Sequence, residues 1–145
     1  MSIEVISHVA QVKRATEKAM KKAARMVGGS VEGHAKELCP VDTGLLRNSI
    51  TFALGGEAPQ ISQYTSDADP TSNKEATTGQ YDGEAPEDSK DEVTVYVGTN
   101  VEYAPYQELG APSINLPAKP YLRPAMENNQ RELEQIIEMC LKEIH

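Results

Sequence analysis

Apolar residues recur at steps of three and four positions from residue 5 to residue 38, which is typical of a helix with one buried face. Gly28-Gly29 lies inside this pattern, and glycine costs about 1 kcal/mol relative to alanine in a helix interior. We therefore expect a kink or a break there. Pro40 predicts the end of the helix, because a residue before proline avoids the helical conformation. The apolar stripe consists of Val5, Val9, Val12, Ala15, Ala19, Ala23, Val27, Val31, Ala35 and Leu38.

Two segments predict the main strands of a small sheet. Residues 49–54 form a short apolar run that ends at Gly55-Gly56, and residues 92–99 alternate valine with Thr and Tyr. Residues 60–64 and 114–116 predict two briefer strands.

A second amphipathic helix is predicted over residues 121–144, with Pro124 tolerated in its first turn. Pro105 predicts the start of a short helical turn that Gly110 ends. Together these elements predict a single α+β domain over residues 1–145. In this domain the long N-terminal helix and the C-terminal helix pack on a small, mainly antiparallel sheet.

Residues 57–91 lose all periodicity and are rich in Ser, Thr, Asp, Glu and Gly. A structureless connection of this length is unusual inside a compact domain. We therefore expect an acidic mobile loop, or a hairpin arm that becomes ordered against a neighbouring subunit, inserted between the first and second main strands.

Charge is distributed unevenly along the chain, whose net charge is −8. This balance argues against general nucleic-acid binding. Residues 13–25 nevertheless carry six Lys or Arg against Glu17 alone. This helix face is either simply solvated or a contact for an acidic partner surface or for passing DNA. The two cysteines, Cys39 and Cys140, are too few and too far apart for a disulfide scaffold, so we expect both to be reduced.

The tripeptide Asp42-Thr43-Gly44 is the sequence that carries the catalytic aspartate in aspartic proteases. Such a half-site needs an apolar strand before it and a second copy with which to share a proton. Here a helix end and Pro40 precede it. The structural interpretation is that Asp42 or Thr43 caps the next turn, Gly44 permits close backbone approach, and Arg47 pairs with an acid.

The spacing of residues does not support a metal-binding site. His34 and Cys39 lack two further zinc ligands, and residues 67–75 depart from a calcium-binding loop at its glycine and glutamate positions. We predict no catalytic residue, no metal, no cofactor and no small-molecule substrate. We also expect no membrane association, because no apolar run approaches the length of a membrane span.

Three separated blocks carry a resemblance to a known family. They are PVDTGLLRNSI at 40–50, VYVGTNVEYAPYQELG at 95–110 and PAKPYLRPAM at 117–126. In this order, with a helix before the first block and after the last, they resemble the tail-component family of long-tailed bacteriophages, also called tail-completion or neck proteins. The match covers about half of the chain directly.

The resemblance implies a structural virion protein and not an enzyme. It implies a homo-oligomeric ring, for which we expect a hexamer, that joins the capsid connector to the tail tube or tail terminator protein, with passage of DNA through the lumen. The protein would be assembled in the bacterial host cytoplasm and reside at the head–tail junction. The residues expected at motif or interface positions are Asp42, Thr43, Gly44, Arg47, Tyr103, Tyr106, Glu108, Gly110, Tyr121 and Arg123.

The predicted sheet is also compatible with a ring. A small sheet has open edges, and strand pairing between subunits would satisfy their backbone hydrogen bonds. Two alternatives stay open. One is a small dimeric aspartic protease that uses Asp42. The other is an adaptor whose acidic segment docks on a basic partner.

Overall fold

A three-stranded antiparallel sheet lies at the centre of the fold, in the order β1, β5, β2. Strand β1 spans Ser2–Ser7, β2 spans Thr51–Leu54 and β5 spans Val93–Gly98. Both outer strands pair with β5, so Ile3 and Phe52 each lie opposite Val97. The computed structural model describes residues 2–7, 14–40, 44–67, 76–88 and 93–142.

Helix α1 (Arg14–Leu38) packs across one face of this sheet. Its buried residues at helical spacing meet inward-facing residues of β2 and β5, together with the helices that follow. The α+β fold with a long N-terminal helix, C-terminal helices and a small antiparallel sheet is thereby confirmed. The largest fully buried side chains include Tyr121, Met20, Ile50, Leu54, Leu122, Val31 and Val97.

The predicted start of the first helix at residue 5 is wrong. Residues 2–7 form strand β1, and the helix begins at Arg14. Strand β5 has an edge that β2 does not occupy, and backbone pairing with residues 2–7 satisfies that edge. A contact with a strand about 90 residues away therefore overrides the local helical period.

The expected break at Gly28-Gly29 is wrong, because α1 is continuous through both residues. Gly28 packs closely against the sheet. A Cβ added at Gly28 would lie 2.6 Å from Cδ2 of Phe52 and 2.8 Å from Cγ2 of Val95. The missing side chain thus permits close helix–sheet packing, which offsets the propensity cost.

Short helices carry the chain around the remaining turns. Helix α2 spans Leu45–Ser49, so the predicted strand at 49–54 starts two residues later than expected. Helix α3 (Ala104–Leu109) begins at the predicted turn and ends at Gly110. The strand predicted at 114–116 is wrong. Residues 112–114 form one turn of 3-10 helix, closed by a single bridge between Ala111 and Leu116.

The C-terminal helix is divided into two. Helix α4 spans Leu122–Glu127, and α5 spans Gln130–Lys142. Asn129 forms a turn between them and donates its side-chain amide to the carbonyl of Ala125 at 2.9 Å. This local competition of an Asn side chain for backbone groups is typical of helix ends.

The connection between β2 and β5 contains a two-stranded antiparallel ribbon, β3 (Gln63–Thr65) with β4 (Thr78–Gln80). The rings of Tyr64 and Tyr81 are in tilted contact at a centroid distance of 5.5 Å where the ribbon joins the body. Residues 82–88, which we call the acidic strap, then cross the sheet face opposite to α1. There, residues 84–86 border a groove with Ala53 and Tyr96, and the hydroxyl of Tyr96 donates to the carbonyl of Glu87 at 3.5 Å.

Candidate interaction surface

Glu108 on α3 is buried, with 6% of its surface exposed, although it carries a carboxylate. Its Oε2 accepts the backbone N–H of Tyr121 at 2.7 Å and of Leu122 at 3.0 Å, and its Oε1 accepts that of Arg123 at 3.0 Å. These N–H groups belong to the first turn of α4 and have no partner within that helix. Glu108 therefore caps α4 and places a negative charge at its positive end.

Gly110 lets the chain turn back immediately after Glu108. Its φ of 77° is a conformation that favours glycine, and an added Cβ would lie 2.8 Å from the backbone nitrogen of Ala118. The N–H of Lys119 donates to the carbonyl of Gln107 at 2.7 Å and holds the returning chain. Glu108 and Gly110 together thus set the path of the chain from α3 to α4.

Tyr121 is fully buried at the start of α4 and belongs to the core cluster. Burial raises the pKa of its hydroxyl well above the ordinary value, so the phenol stays neutral. Its hydroxyl donates to the carbonyl of Ala104 at 3.5 Å. Tyr121 is therefore a packing residue. The neighbouring Arg123 is exposed, and its Nε lies 4.0 Å from Oε1 of Glu127.

The first block of the resemblance forms a polar junction with the ribbon. Gly44, with a φ of 80°, is the residue that precedes α2, and an added Cβ would lie 2.3 Å from Oδ2 of Asp67. Nη2 of Arg47 donates to that carboxylate at 2.7 Å, and the amide of Asn48 donates to its Oδ1 at 3.0 Å. The expected cap by Asp42 or Thr43 lies outside the described residues.

An apolar groove of about 560 Å³ opens between α2, α3 and the 3-10 turn. Tyr103, Tyr106 and Ile114 line it and remain 40%, 55% and 71% exposed. Leu109, one helical turn beyond Tyr106, is 63% exposed. These four residues are the apolar patch. The other residues that line the groove are Pro40, Gly44, Leu45, Leu46, Thr77, Gln107 and Leu116.

The structure thus separates the predicted motif residues into two groups. Tyr103 and Tyr106 face the groove, whereas Glu108, Gly110 and Tyr121 build the scaffold behind it. The sequence reasoning missed Leu109 and Ile114. The signal was present in Ile114, an isolated apolar residue in a segment with prolines on both sides, where no periodic pattern buries it.

The basic face of α1 is exposed near its N-terminal end. A shallow groove of about 430 Å³ is lined by Glu17, Lys18, Lys21 and Arg25. Arg25 forms an ion pair with Glu57 at 3.1 Å, across the turn that follows β2. Lys18 and Lys21 have no carboxylate within 4.0 Å in the part of the chain that the structure describes.

Both cysteines are buried free thiols. Burial raises the pKa of Cys39 to about 11, so this thiol is protonated at neutral pH. Within the described ranges, no group of three or more His, Cys, Asp or Glu side chains is arranged to hold a metal ion. No helix among the same residues is long and apolar enough to cross a bilayer.

These features define a small α+β protein with an exposed apolar patch and an exposed basic helix face. The comparison with protein families agrees. Residues 3–110 match the family described as "Bacteriophage HK97-gp10, putative tail-component", and the chain belongs to this family. The resemblance inferred from the three blocks is confirmed, although the third block lies beyond the matched range. The chain is accordingly a structural component of a bacteriophage tail and part of a virion.

The chain is also similar to one uncharacterized protein. The chain is 37% identical over 60 residues to the uncharacterized protein MJ0331 of Methanocaldococcus jannaschii. The match covers 38% of this chain and 44% of the relative, so the chain spans less than half of that protein's length. No solved structure gives a significant match.

Proposed function

We propose that this chain is a neck or tail-completion subunit that forms a homo-oligomeric ring, a hexamer, between the capsid connector and the tail tube or tail terminator. Family membership supports a role among virion proteins. The observation that carries the proposal further is the apolar patch, because soluble monomers rarely leave neighbouring large apolar side chains exposed. The family also supports a role as a structural component and not as an enzyme.

The scaffold behind the patch supports a protein-binding role. Glu108 and Gly110 fix the path of α3 and of the chain that returns from it, so Tyr106 and Ile114 are presented on a constrained surface. Exposed aromatic residues on a rigid support are the usual centres of protein–protein interfaces. We infer that the patch contacts a neighbouring virion protein.

Deletion of the gene from the phage or prophage that encodes the chain tests the proposal. We expect full heads and finished tails that remain separate in electron micrographs, with joining restored when the wild-type chain is supplied in trans. Tyr106→Asp and Ile114→Asp should fold, as judged by circular dichroism, but fail to restore joining. Met139→Asp, at an equally exposed position on α5, is the matched control and should restore it. Normal joining after the deletion would contradict the proposal.

A further inference from the structure

The basic face of α1 and the acidic strap lie on opposite sides of one sheet. Gly28 of α1 packs against Val95, whereas Tyr96, the next residue of β5, donates its hydroxyl to the carbonyl of Glu87 in the strap at 3.5 Å. Successive residues of a strand point to opposite faces. The basic face of α1 and the acidic strap therefore lie on opposite sides of one subunit.

The strap presents its charge in a fixed conformation. Its four acidic side chains are exposed, and no basic residue lies among residues 82–88. The N–H of Gly56 donates to the carbonyl of Pro86 at 2.8 Å, and the N–H of Glu84 donates to Oδ1 of Asp82 at 2.9 Å. None of the four carboxylates pairs with a basic side chain within the described residues.

The opposing surface holds Lys18 and Lys21, which form no ion pair with a carboxylate of the described residues. Lys18 and Lys21 are exposed and lie two turns and one turn, respectively, before Arg25, which forms an ion pair with Glu57. The three side chains share one face, since positions three and four apart on a helix are neighbours. The groove between them is open to solvent and can admit carboxylate side chains.

We propose that the basic face of α1, at Lys18 and Lys21, docks the acidic strap of a second copy of this chain. Two different, complementary patches on one subunit form a heterologous contact, and repetition of such a contact closes into a ring when the rotation allows it. A strongly acidic chain with net charge −8 favours this occupant over DNA. The inference rests on the proposed ring and assigns the surfaces through which its subunits meet.

Charge reversal on each surface tests this contact. Lys18→Glu with Lys21→Glu makes both surfaces acidic, and Glu84→Lys with Glu87→Lys removes the complementarity from the other side. In sedimentation velocity at low ionic strength, each double variant should self-associate about tenfold or more weakly than wild type, because like charges now face each other. An equimolar mixture of the two variants should recover association, since the acidic helix face of one variant can then contact the lysines in the strap of the other.

Matched controls carry the same change in net charge elsewhere. Lys119→Glu with Lys142→Glu and Glu134→Lys with Glu138→Lys alter exposed residues away from both surfaces. Both controls should associate like wild type. Equal weakening in the controls, or no recovery in the mixture, would overturn the contact.

Complementation separates this inference from the proposed function. In the deletion strain, each reversed variant alone should fail to join heads to tails, and coexpression of the two should restore joining. If each variant restores joining by itself, the contact is wrong while the junction role stands. If deletion has no effect on joining, the junction role fails. If wild type binds a labelled DNA duplex and Lys18→Glu with Lys21→Glu abolishes only that binding, the basic face is a nucleic-acid contact and the inference is overturned.

Discussion

The carboxylate of Glu108 accepts the backbone N–H of Tyr121 at 2.7 Å, so a buried acid on α3 determines where α4 begins. We predict that Glu108→Ala lowers the free energy of unfolding by about 2 to 3 kcal/mol. It removes a charged cap and leaves three buried or half-buried N–H groups without their acceptor. Urea denaturation with a shared m-value measures the change.

Glu102→Ala is the matched control for this prediction, because Glu102 is exposed in the turn before α3. Its effect should stay within about 0.5 kcal/mol. The stability of Glu108→Gln should be intermediate. One carbonyl oxygen then replaces two carboxylate oxygens, and the amide N–H₂ faces a backbone N–H that it cannot accept. Equal stability of the wild type and Glu108→Ala would contradict the capping role.

Two glycines of α1 should respond in opposite directions to the same substitution. A Cβ at Gly28 would lie 2.6 Å from Phe52, whereas a Cβ at Gly33 would meet nothing within 4 Å. Gly28→Ala should destabilise the protein by about 1 to 3 kcal/mol, because the helix or Phe52 must shift. Gly33→Ala should stabilise it by up to about 1 kcal/mol through helix propensity alone. Thermal unfolding of both variants checks the sign of each change, and stabilisation by Gly28→Ala would show that the helix has room there.

Helix α1 and strand β1 show how far the sequence could predict this fold. The helix is correct from Arg14 to Leu38, and its predicted stripe is buried from Ala23 to Ala35, although Leu38 is 47% exposed. It fails at residues 2–7, because the choice between helix and strand there depends on pairing with β5. A local pattern contains no information about a partner about 90 residues away, and strand formation is especially sensitive to such context.

The same distinction applies to the motif residues. Glu108, Gly110 and Tyr121 could be selected from the sequence because they lie in ordered blocks that resemble a family. Their roles could not be predicted, because the cap joins residues 13 positions apart through a turn that only the folded chain creates. Leu109 was missed for a related reason, since exposure is a property of the packed surface and not of the residue type.

Cys39 should be chemically inert in the folded protein. Burial raises its thiol pKa to about 11, and Cys140 is also buried. Since the thiolate is the reactive form, iodoacetamide at about pH 8 should label neither cysteine in native buffer and both in denaturant. Mass spectrometry of the labelled chains measures this. Rapid native labelling of Cys39 would mean that the end of α1 opens readily.

Glu132 joins α5 to α1 and should make part of the stability depend on pH. Its carboxylate accepts hydrogen bonds from Ser30 and His34, each at 2.8 Å, and these bonds lower its pKa below the ordinary value. The ionised form is therefore favoured by folding. The resulting stabilisation is fully present above the unfolded pKa of about 4.3 and disappears as pH falls through the lower, folded value.

Denaturation of the wild type and of Glu132→Gln from about pH 7 down to pH 3 should consequently give stability curves that converge at acid pH. Glu32, whose pKa burial raises, acts in the opposite direction but is present in both proteins, so its effect cancels in the difference. Glu134→Gln, an exposed neighbour on α5, should follow the wild type throughout. A constant difference between wild type and Glu132→Gln across this range would show that the charge of Glu132 does not contribute, and that its contacts act only by packing α5 against α1.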